Sequence, residues 1–225
     1  IKDHKEKKVV AVQGLGFVGL AMSVAVASAT DNTNTPIYNV TGLDLPNPDG
    51  SKKVSLINNG NIPIISTDKL LEDAFKKCIE KGNLSATTNP EILANADYVI
   101  VDINLDVDVN TDRGNVDFSG FRKAIEDIGN YMNRETLVII ETTVPPGTTE
   151  KIAYPILKEK LNKRYSISDI PLLAHSYERV MPGPNYYNSI TNFWRVYSGC
   201  NKESSEKCKH FLTTIINTKD YKMNE

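Results

Sequence analysis

Gly14, Gly16 and Gly19 fall in the spacing G-x-G-x-x-G within "VVAVQGLGFVGLAMSVAVASA", residues 9–29. That spacing can cradle a pyrophosphate. The first glycine allows a tight turn, the second lets the backbone approach the phosphates, and the third lets helix and strand pack closely. Phe17 and Val18 open the helix whose N-terminus faces the phosphates, and they complete the cofactor-binding stretch. The context fits, because a predicted strand, "KKVVAV", precedes the glycines and a predicted helix, Phe17–Thr30, follows. A second strand, "YNVTGLD", ends in Asp44, whose carboxylate can accept from ribose hydroxyls and would repel a 2′-phosphate. The indicated cofactor is therefore NAD. Asp44 lies 25 residues past Gly19, a little far, and the polar stretch "DNTNTPIYN" supplies the extra length as a loop.

The same stretch has the outline of a secretory signal: a lysine-rich start, an apolar run, and Ala27-Ser28-Ala29. Three glycines and Gln13 inside the apolar core argue against it. Two later stretches carry further candidate groups. "ETTVPPGTTEKI" holds Thr143, and "HSYERVMPGP" holds Glu178. Taken singly, each has a plain structural reading. "VPPGTT" is a good strand-to-helix turn, with Thr148 as cap, and an isolated glutamate is usually a surface carboxylate. Asp106–Asp117, "DVDVNTDRGNVD", approaches a calcium loop. It has Thr111 where glycine belongs at the sixth position, aspartate rather than glutamate at the twelfth, and a strand in front. It is read as a solvated loop, and no metal site is expected.

The elements that must position these groups alternate along the chain. "DYVIVDI" and "TLVIIET" are continuous apolar runs, as in strands buried on both faces of a parallel sheet. Helical periodicity covers Ser66–Lys81, Asp117–Met132, Thr148–Leu161 and Glu203–Ile216. "PLLAHS" and "FWRVYSG" read as two more strands, and "DLPNPDGSKK" as the clearest surface loop. The alternation predicts an α/β fold, a Rossmann-like doubly wound, mainly parallel sheet with helices on both faces.

Bulk properties exclude several classes. A chain of 225 residues, 40% hydrophobic and 24% charged, has the composition of a globular domain. A net charge of −2 with pI near 6.0 gives no reason to expect nucleic acid or an anionic membrane as partner. No apolar run reaches the roughly 18 residues of a membrane span. Cys78, Cys200 and Cys208 lack metal-ligand spacing and are too few for a disulfide framework, which suits a reduced, cytoplasmic setting.

Taken together and in order, "GLGFVGLAMS", the Asp-ended strand, "ETTVPPGTTEKI" and "HSYERVMPGP" resemble the NAD-binding domain of the UDP-glucose/GDP-mannose dehydrogenase family, over nearly the whole chain. The "ERVMPG" stretch looks closer to the UDP-N-acetylhexosamine branch. The resemblance implies oxidation of the C6 alcohol of a UDP-sugar to a carboxylate with two NAD, through a cysteine thioester. It implies that Thr143 lies near the nicotinamide and helps place a water, and that Glu178 manages a proton or activates water. It also implies that residues 1–225, which begin at Ile1, form the cofactor domain, with the last residues leading toward a central helix and a sugar-binding domain outside the chain. The whole protein is expected as a homodimer or larger, and the domain alone as a monomer. Departures are visible. "DINLDVD" stands where the family has a Val-x-Thr-Pro stretch, so Asn104 or Leu105 replaces a cofactor-contacting threonine, and Tyr177 replaces a proline. No "G-x-C-[FL]-P-K-D" nucleophile stretch occurs. Other classes compatible with the glycines are a hydroxyacid or 6-phosphogluconate type of Rossmann oxidoreductase and a non-catalytic NAD-binding module.

Overall fold

Strands buried on both faces must be apolar throughout, and "YVIV" and "LVII" meet that demand at every position. In a computed structural model, residues 7–108, 115–165, 170–180 and 183–216 are described. In chain order their first half runs β1 (Lys8–Gln13), α1 (Phe17–Ser28), β2 (Tyr38–Leu43), α2 (Pro48–Asn58), α3 (Lys69–Glu80), β3 (Leu84–Thr87) and β4 (Tyr98–Val101). A two-stranded hairpin follows, β5 (Asp106–Asp108) and β6 (Asn115–Asp117). Then come α4 (Ser119–Tyr131), β7 (Leu137–Ile140), α5 (Tyr154–Tyr165), β8 (Leu172–His175), α6 (Tyr186–Asn192), β9 (Ser198–Gly199) and α7 (Lys202–Ile215).

The seven-stranded sheet has the order β3-β2-β1-β4-β7-β8-β9. All pairs are parallel except β8–β9 at the edge. This is the doubly wound arrangement expected from the alternation, and the strand order reverses between β1 and β4. Side chains alternate across each strand. Val10, Val12, Ile100 and Ile139 therefore enter a core with α1, α3, α6 and α7, while Ala11, Val99, Val101 and Val138 enter a second core with α4 and α5. At the base of the first core Tyr38, Tyr98 and Phe211 pack together, and the Tyr38 hydroxyl meets Thr214 at 2.8 Å, docking α7.

Several boundaries depart from the sequence reading. "DLPNPDGSKK" is not a loop but the start of α2. Asn47 caps it by accepting from the Gly50 N–H at 2.8 Å, Pro48 brings a helical φ to the first turn, and Asp49 pairs with Lys53 one turn on at 2.8 Å. The Asn, Pro and Gly that suggest a loop are here the start signal of a helix. The helix expected over Thr148–Leu161 begins with a π-turn at Thr149–Ala153 and runs on to Tyr165. Pro155 has no N–H for the Lys151 carbonyl, and the Tyr154 N–H reaches back to the Thr149 carbonyl instead. "FWRVYSG" supplies only the two residues of β9. The short β3 and α6 carry too little periodicity to be read from sequence.

If Asn47 is the cap that starts α2, Asn47→Ala should lower stability by about 1 kcal/mol in urea unfolding. Asn47→Asp should restore it. Equal midpoints for all three proteins would show that the cap is not what holds this helix.

Candidate functional site

At the switch point between β1 and β4 the three glycines do different jobs. Gly14 has φ +99°, and a Cβ there would lie 2.1 Å from the Asp102 carbonyl oxygen. A Cβ on Gly19 would lie 1.8 Å from the Gly14 carbonyl oxygen. Both are required by the packing of the β1–α1 turn against β4. A Cβ on Gly16 would meet nothing within 4 Å, so its side is open. Gly16 also N-caps α1 without any side-chain cap, and no acidic residue sits in the first turn. The helix end at Phe17 and Val18 thus presents backbone donors and a positive dipole to open space, which is what an anion requires. These residues fit a dinucleotide pyrophosphate.

Asp44 follows β2 and faces the same turn. Its carboxylate accepts from the Leu45 N–H at 2.7 Å and the Leu15 N–H at 3.2 Å, and Lys53 Nζ lies 3.4 Å away. A carboxylate offers about four lone-pair positions, so further donors such as ribose hydroxyls can be accommodated. The second and third glycine, the helix end and Asp44 are therefore gathered at one place.

Thr143 and Glu178 lie farther along the same edge of the sheet. Ile140 of β7 pairs with His175 of β8, so Thr143 and Glu178 each stand three residues beyond a matched pair. Thr143 is exposed, whereas its neighbour Thr142 is structural, accepting from the Ile103 N–H at 3.0 Å and tying the end of β4 to β7. Glu178 is half-buried and its carboxylate accepts from the Val180 N–H. Asn104 is exposed and Leu105 packs on the second core, so neither brings a hydroxyl to the site. Of the "ERVMPGP" stretch, Met181 and Pro182 lie outside the described residues.

A buried charged cluster that the sequence reading misses underlies these groups. Glu141 and Arg195, with side chains 0% and 1% exposed, form an ion pair at 2.6 Å. Arg195 also donates to the Tyr177 carbonyl at 3.3 Å, immediately before Glu178. This is why "FWRVYSG" does not continue as a strand: Arg195 turns inward to Glu141. Burial holds the Glu141 carboxyl above its usual range against the pull of Arg195. Asp102, at the end of β4, is buried with neither carboxyl oxygen hydrogen-bonded among the described residues. Burial, reinforced by the charge of Glu141, pushes its carboxyl well up, with Arg195 opposing. The positive end of α1 offers an anion about 0.3–1 kcal/mol. Desolvating an unpaired carboxylate costs several kcal/mol, so burial wins. The signal in the sequence is an acid ending an otherwise apolar strand, in "VIVD" and "VIIE".

The cysteines make poor nucleophiles. Cys78 and Cys208 are buried, and burial pushes Cys208 up to about 12 and Cys78 up as well. Cys200 is exposed but is also raised, by partial burial and by Glu150. Among the described residues no group of three or more His, Cys, Asp or Glu could hold a metal. Residues 109–114 of the calcium-like stretch lie outside the described residues, and its two ends pair as β5 and β6. No helix among the described residues is long and apolar enough to cross a membrane. A cavity of about 650 Å³ lined by Ser28, Lys77, Cys78 and Tyr187 lies at the other end of α1 and shares no residue with the cradle.

Residues 8–216 match the profile of the UDP-glucose/GDP-mannose dehydrogenase family, NAD binding domain. The chain belongs to this family. Among its relatives, a UDP-N-acetyl-D-mannosamine dehydrogenase of Methanocaldococcus jannaschii is 31% identical over 95% of the chain and 44% of the relative. A UDP-N-acetyl-D-glucosamine 6-dehydrogenase of Salmonella typhi is 27% identical over 95% of the chain and 44% of the relative. The crystal structure of an NDP-N-acetyl-D-galactosaminuronic acid dehydrogenase from Methanosarcina mazei superposes with a TM-score of 0.83 at 26% identity, over 94% of this chain and 42% of that one. The chain thus spans less than half the length of these relatives. The family match makes this an NAD-binding domain, and its sheet order is that of a Rossmann fold.

The geometry of this dehydrogenase-family domain makes two substitutions decisive. Gly16→Val should fold with nearly unchanged thermal stability and lose NAD binding by more than about a hundredfold, since only ligand space is filled. Normal binding in calorimetry would show that the glycine is not at the pyrophosphate. Asp44→Ala should weaken NAD by about ten- to a hundredfold, the equivalent of about 1.5–3 kcal/mol for charge-assisted hydrogen bonds. It should also narrow the preference over NADP, because Lys53 then loses one of its two carboxylates. Equal affinities of the unaltered protein for NAD and NADP would remove Asp44 from the ribose site.

Proposed function

We propose that this domain serves a nucleotide-sugar 6-dehydrogenase that oxidises a UDP-N-acetylhexosamine to the corresponding uronic acid, in the cytoplasm where NAD and nucleotide sugars are held. The observation that carries the reading is the Glu141–Arg195–Tyr177 connection. It ties the end of β7, which bears Thr143, to the turn after β8, which bears Glu178, beside the open cradle at Gly16. The names of the relatives support the substrate class.

NAD, when bound, accepts a hydride from the C6 carbon of the sugar. The chain's own residues do the rest of what this domain contributes. The α1 N-terminus and the open face of Gly16 hold the pyrophosphate, and Asp44 orients the adenosine ribose. Thr143, exposed at the end of β7, offers a hydroxyl that can both donate and accept, suited to placing a water or the substrate C6 oxygen. Glu178 is a half-buried carboxylate able to take the proton that the alcohol must lose. A thiolate that captures the aldehyde would come from outside these residues, because Cys78, Cys200 and Cys208 are all held toward the thiol. By the same reading, residues 1–225 form the cofactor domain and the sugar-binding domain lies elsewhere in the polypeptide.

The test is NADH formation by the longest polypeptide encoding this chain, offered UDP-N-acetylmannosamine, UDP-N-acetylglucosamine and UDP-glucose. An N-acetylhexosamine substrate should yield two NADH per sugar. Thr143→Ala and Glu178→Gln should each lower kcat by about 10²–10⁴-fold. Replacing all three cysteines of this chain by serine should leave turnover in place. Absence of NADH with every nucleotide sugar would favour a non-catalytic NAD-binding module.

A further inference from the structure

The sheet ends, on the α1 side, in a row of polar residues. The last paired residues are Leu43, Gln13, Val101, Ile140 and His175. One step beyond them come Asp44, Gly14, Asp102, Glu141 and Ser176, and the ladder continues into this row through Gly14 N–H to Leu43 O, Asp102 N–H to Gln13 O, Glu141 N–H to Val101 O and Ser176 N–H to Ile140 O. Register puts these positions on the face of Val12, Ile100, Ile139 and Ala174, and Asp102 lies against Gly19 in the first turn of α1. Three of the five are acids. Asp44 has Lys53 and two backbone donors, and Glu141 has Arg195. Asp102 has no hydrogen-bond partner among the described residues, and its Cβ lies 3.2 Å from where a Cβ on Gly19 would stand.

The groups that face Asp102 come from each neighbouring element. Glu141 comes from β7, Arg195 from the 193–197 stretch, Glu178 from the turn after β8 and Tyr186 from α6. Helix α1 carries no titratable side chain, and Gln13 at the end of β1 lies on the opposite face of the sheet. One guanidinium therefore serves two fully buried carboxyls, and at 2.6 Å it is committed to Glu141. An ionised Asp102 would have no donor among the described residues and only the distant pull of a guanidinium already paired with Glu141, a state that buried acids avoid by keeping a proton.

We propose that Asp102 is a neutral carboxylic acid under the cofactor cradle, and that its proton is thermodynamically linked to NAD binding. The inference rests on the placement of the pyrophosphate over Gly16 proposed above. The pyrophosphate and an ionised Asp102 would occupy opposite sides of one helix turn, Gly16 to Gly19, and compete for the same positive end. With the proton on, the helix end is free for the phosphates. With the proton off, two anions share it and the cofactor is held less tightly. The direction follows from linkage. Affinity is full while Asp102 is neutral, and it falls as the pH rises through the range where the free protein loses this proton. Within that range the domain takes up part of a proton when NAD binds, and the dissociation constant rises by at most about tenfold per pH unit.

Two measurements test this. Infrared difference spectroscopy of the unliganded domain in D₂O should show the carbonyl stretch of a protonated carboxyl at neutral pH, absent in Asp102→Asn. Titration calorimetry with NAD, from about pH 5 to pH 9 in buffers of different ionisation heat, should show proton uptake and weakening with pH in the wild type. Both should be gone in Asp102→Asn, and in Asp102→Ser should the asparagine variant fold poorly. No protonated carboxyl in the wild type, or a pH dependence that survives removal of Asp102, would overturn the proposal. Binding indifferent to pH would overturn the linkage alone, whereas no NAD binding at any pH would overturn the cofactor placement and the linkage with it.

Discussion

The ion pair between Glu141 and Arg195 is the contact on which the edge of this sheet depends. Both side chains are sealed from solvent, and the guanidinium also holds the Tyr177 carbonyl. Three segments far apart in sequence meet there: the end of β7, the turn after β8 and the stretch before β9. Removing one partner of such a pair leaves an uncompensated buried charge, at a cost of about 3–5 kcal/mol. The pair is thus less a source of net stability than a constraint on which arrangements are permitted. With Arg195 committed inward, the last strand shrinks to Ser198–Gly199, and the Tyr177 carbonyl beside Glu178 is tied to Glu141 at the end of β7.

The cofactor cradle obeys a different constraint, that of space. Parallel strands on either side of the switch point leave a crevice, and the β1–α1 turn can close over it only if the backbone of Gly14 and Gly19 meets β4 with no side chain between. Gly16 is spared that contact, and the space above it is open. The glycine turn and the acid of the ion pair share one row at the edge of the sheet, so open helix-end backbone and buried acids lie within one layer of structure. Asp102 stands between the two.

Membership of the UDP-glucose/GDP-mannose dehydrogenase family accounts for the order of the motifs. "DINLDVD" replaces a threonine-proline stretch after β4. Here Leu105 is half-buried and apolar, and Asn104 is exposed. Beyond them β5 and β6 pair as a hairpin. Tyr177 gives up the stiffness of proline yet still offers a carbonyl, and it is that carbonyl which Arg195 holds. The local chain is changed while the anchoring contact runs through backbone.

Much of this is legible in the residues, because it depends on local spacing. Apolar runs of the right length announce β1, β4 and β7, the glycine spacing announces the turn, and Asp44 ends its strand where a ribose would lie. Signals with two local meanings mislead. Asn47, Pro48 and Gly50 suggest a loop, and they start a helix because Asn47 finds the Gly50 N–H. The alternation in "FWRVYSG" suggests a strand, and a partner 54 residues away in sequence pulls Arg195 out of it. No spacing rule reveals that Asp102 and Glu141 lie in one row with Arg195 paired to the second of them. Their protonation is set by burial and by neighbours on other strands, quantities that exist only once the chain has folded. The order of strands and helices and the place of the glycine turn are written in the residues alone, since both follow from periodicity and glycine geometry. Which charges are buried together, and which of them must keep a proton, is settled by the folded chain, because desolvation and pairing are properties of the assembled sheet edge.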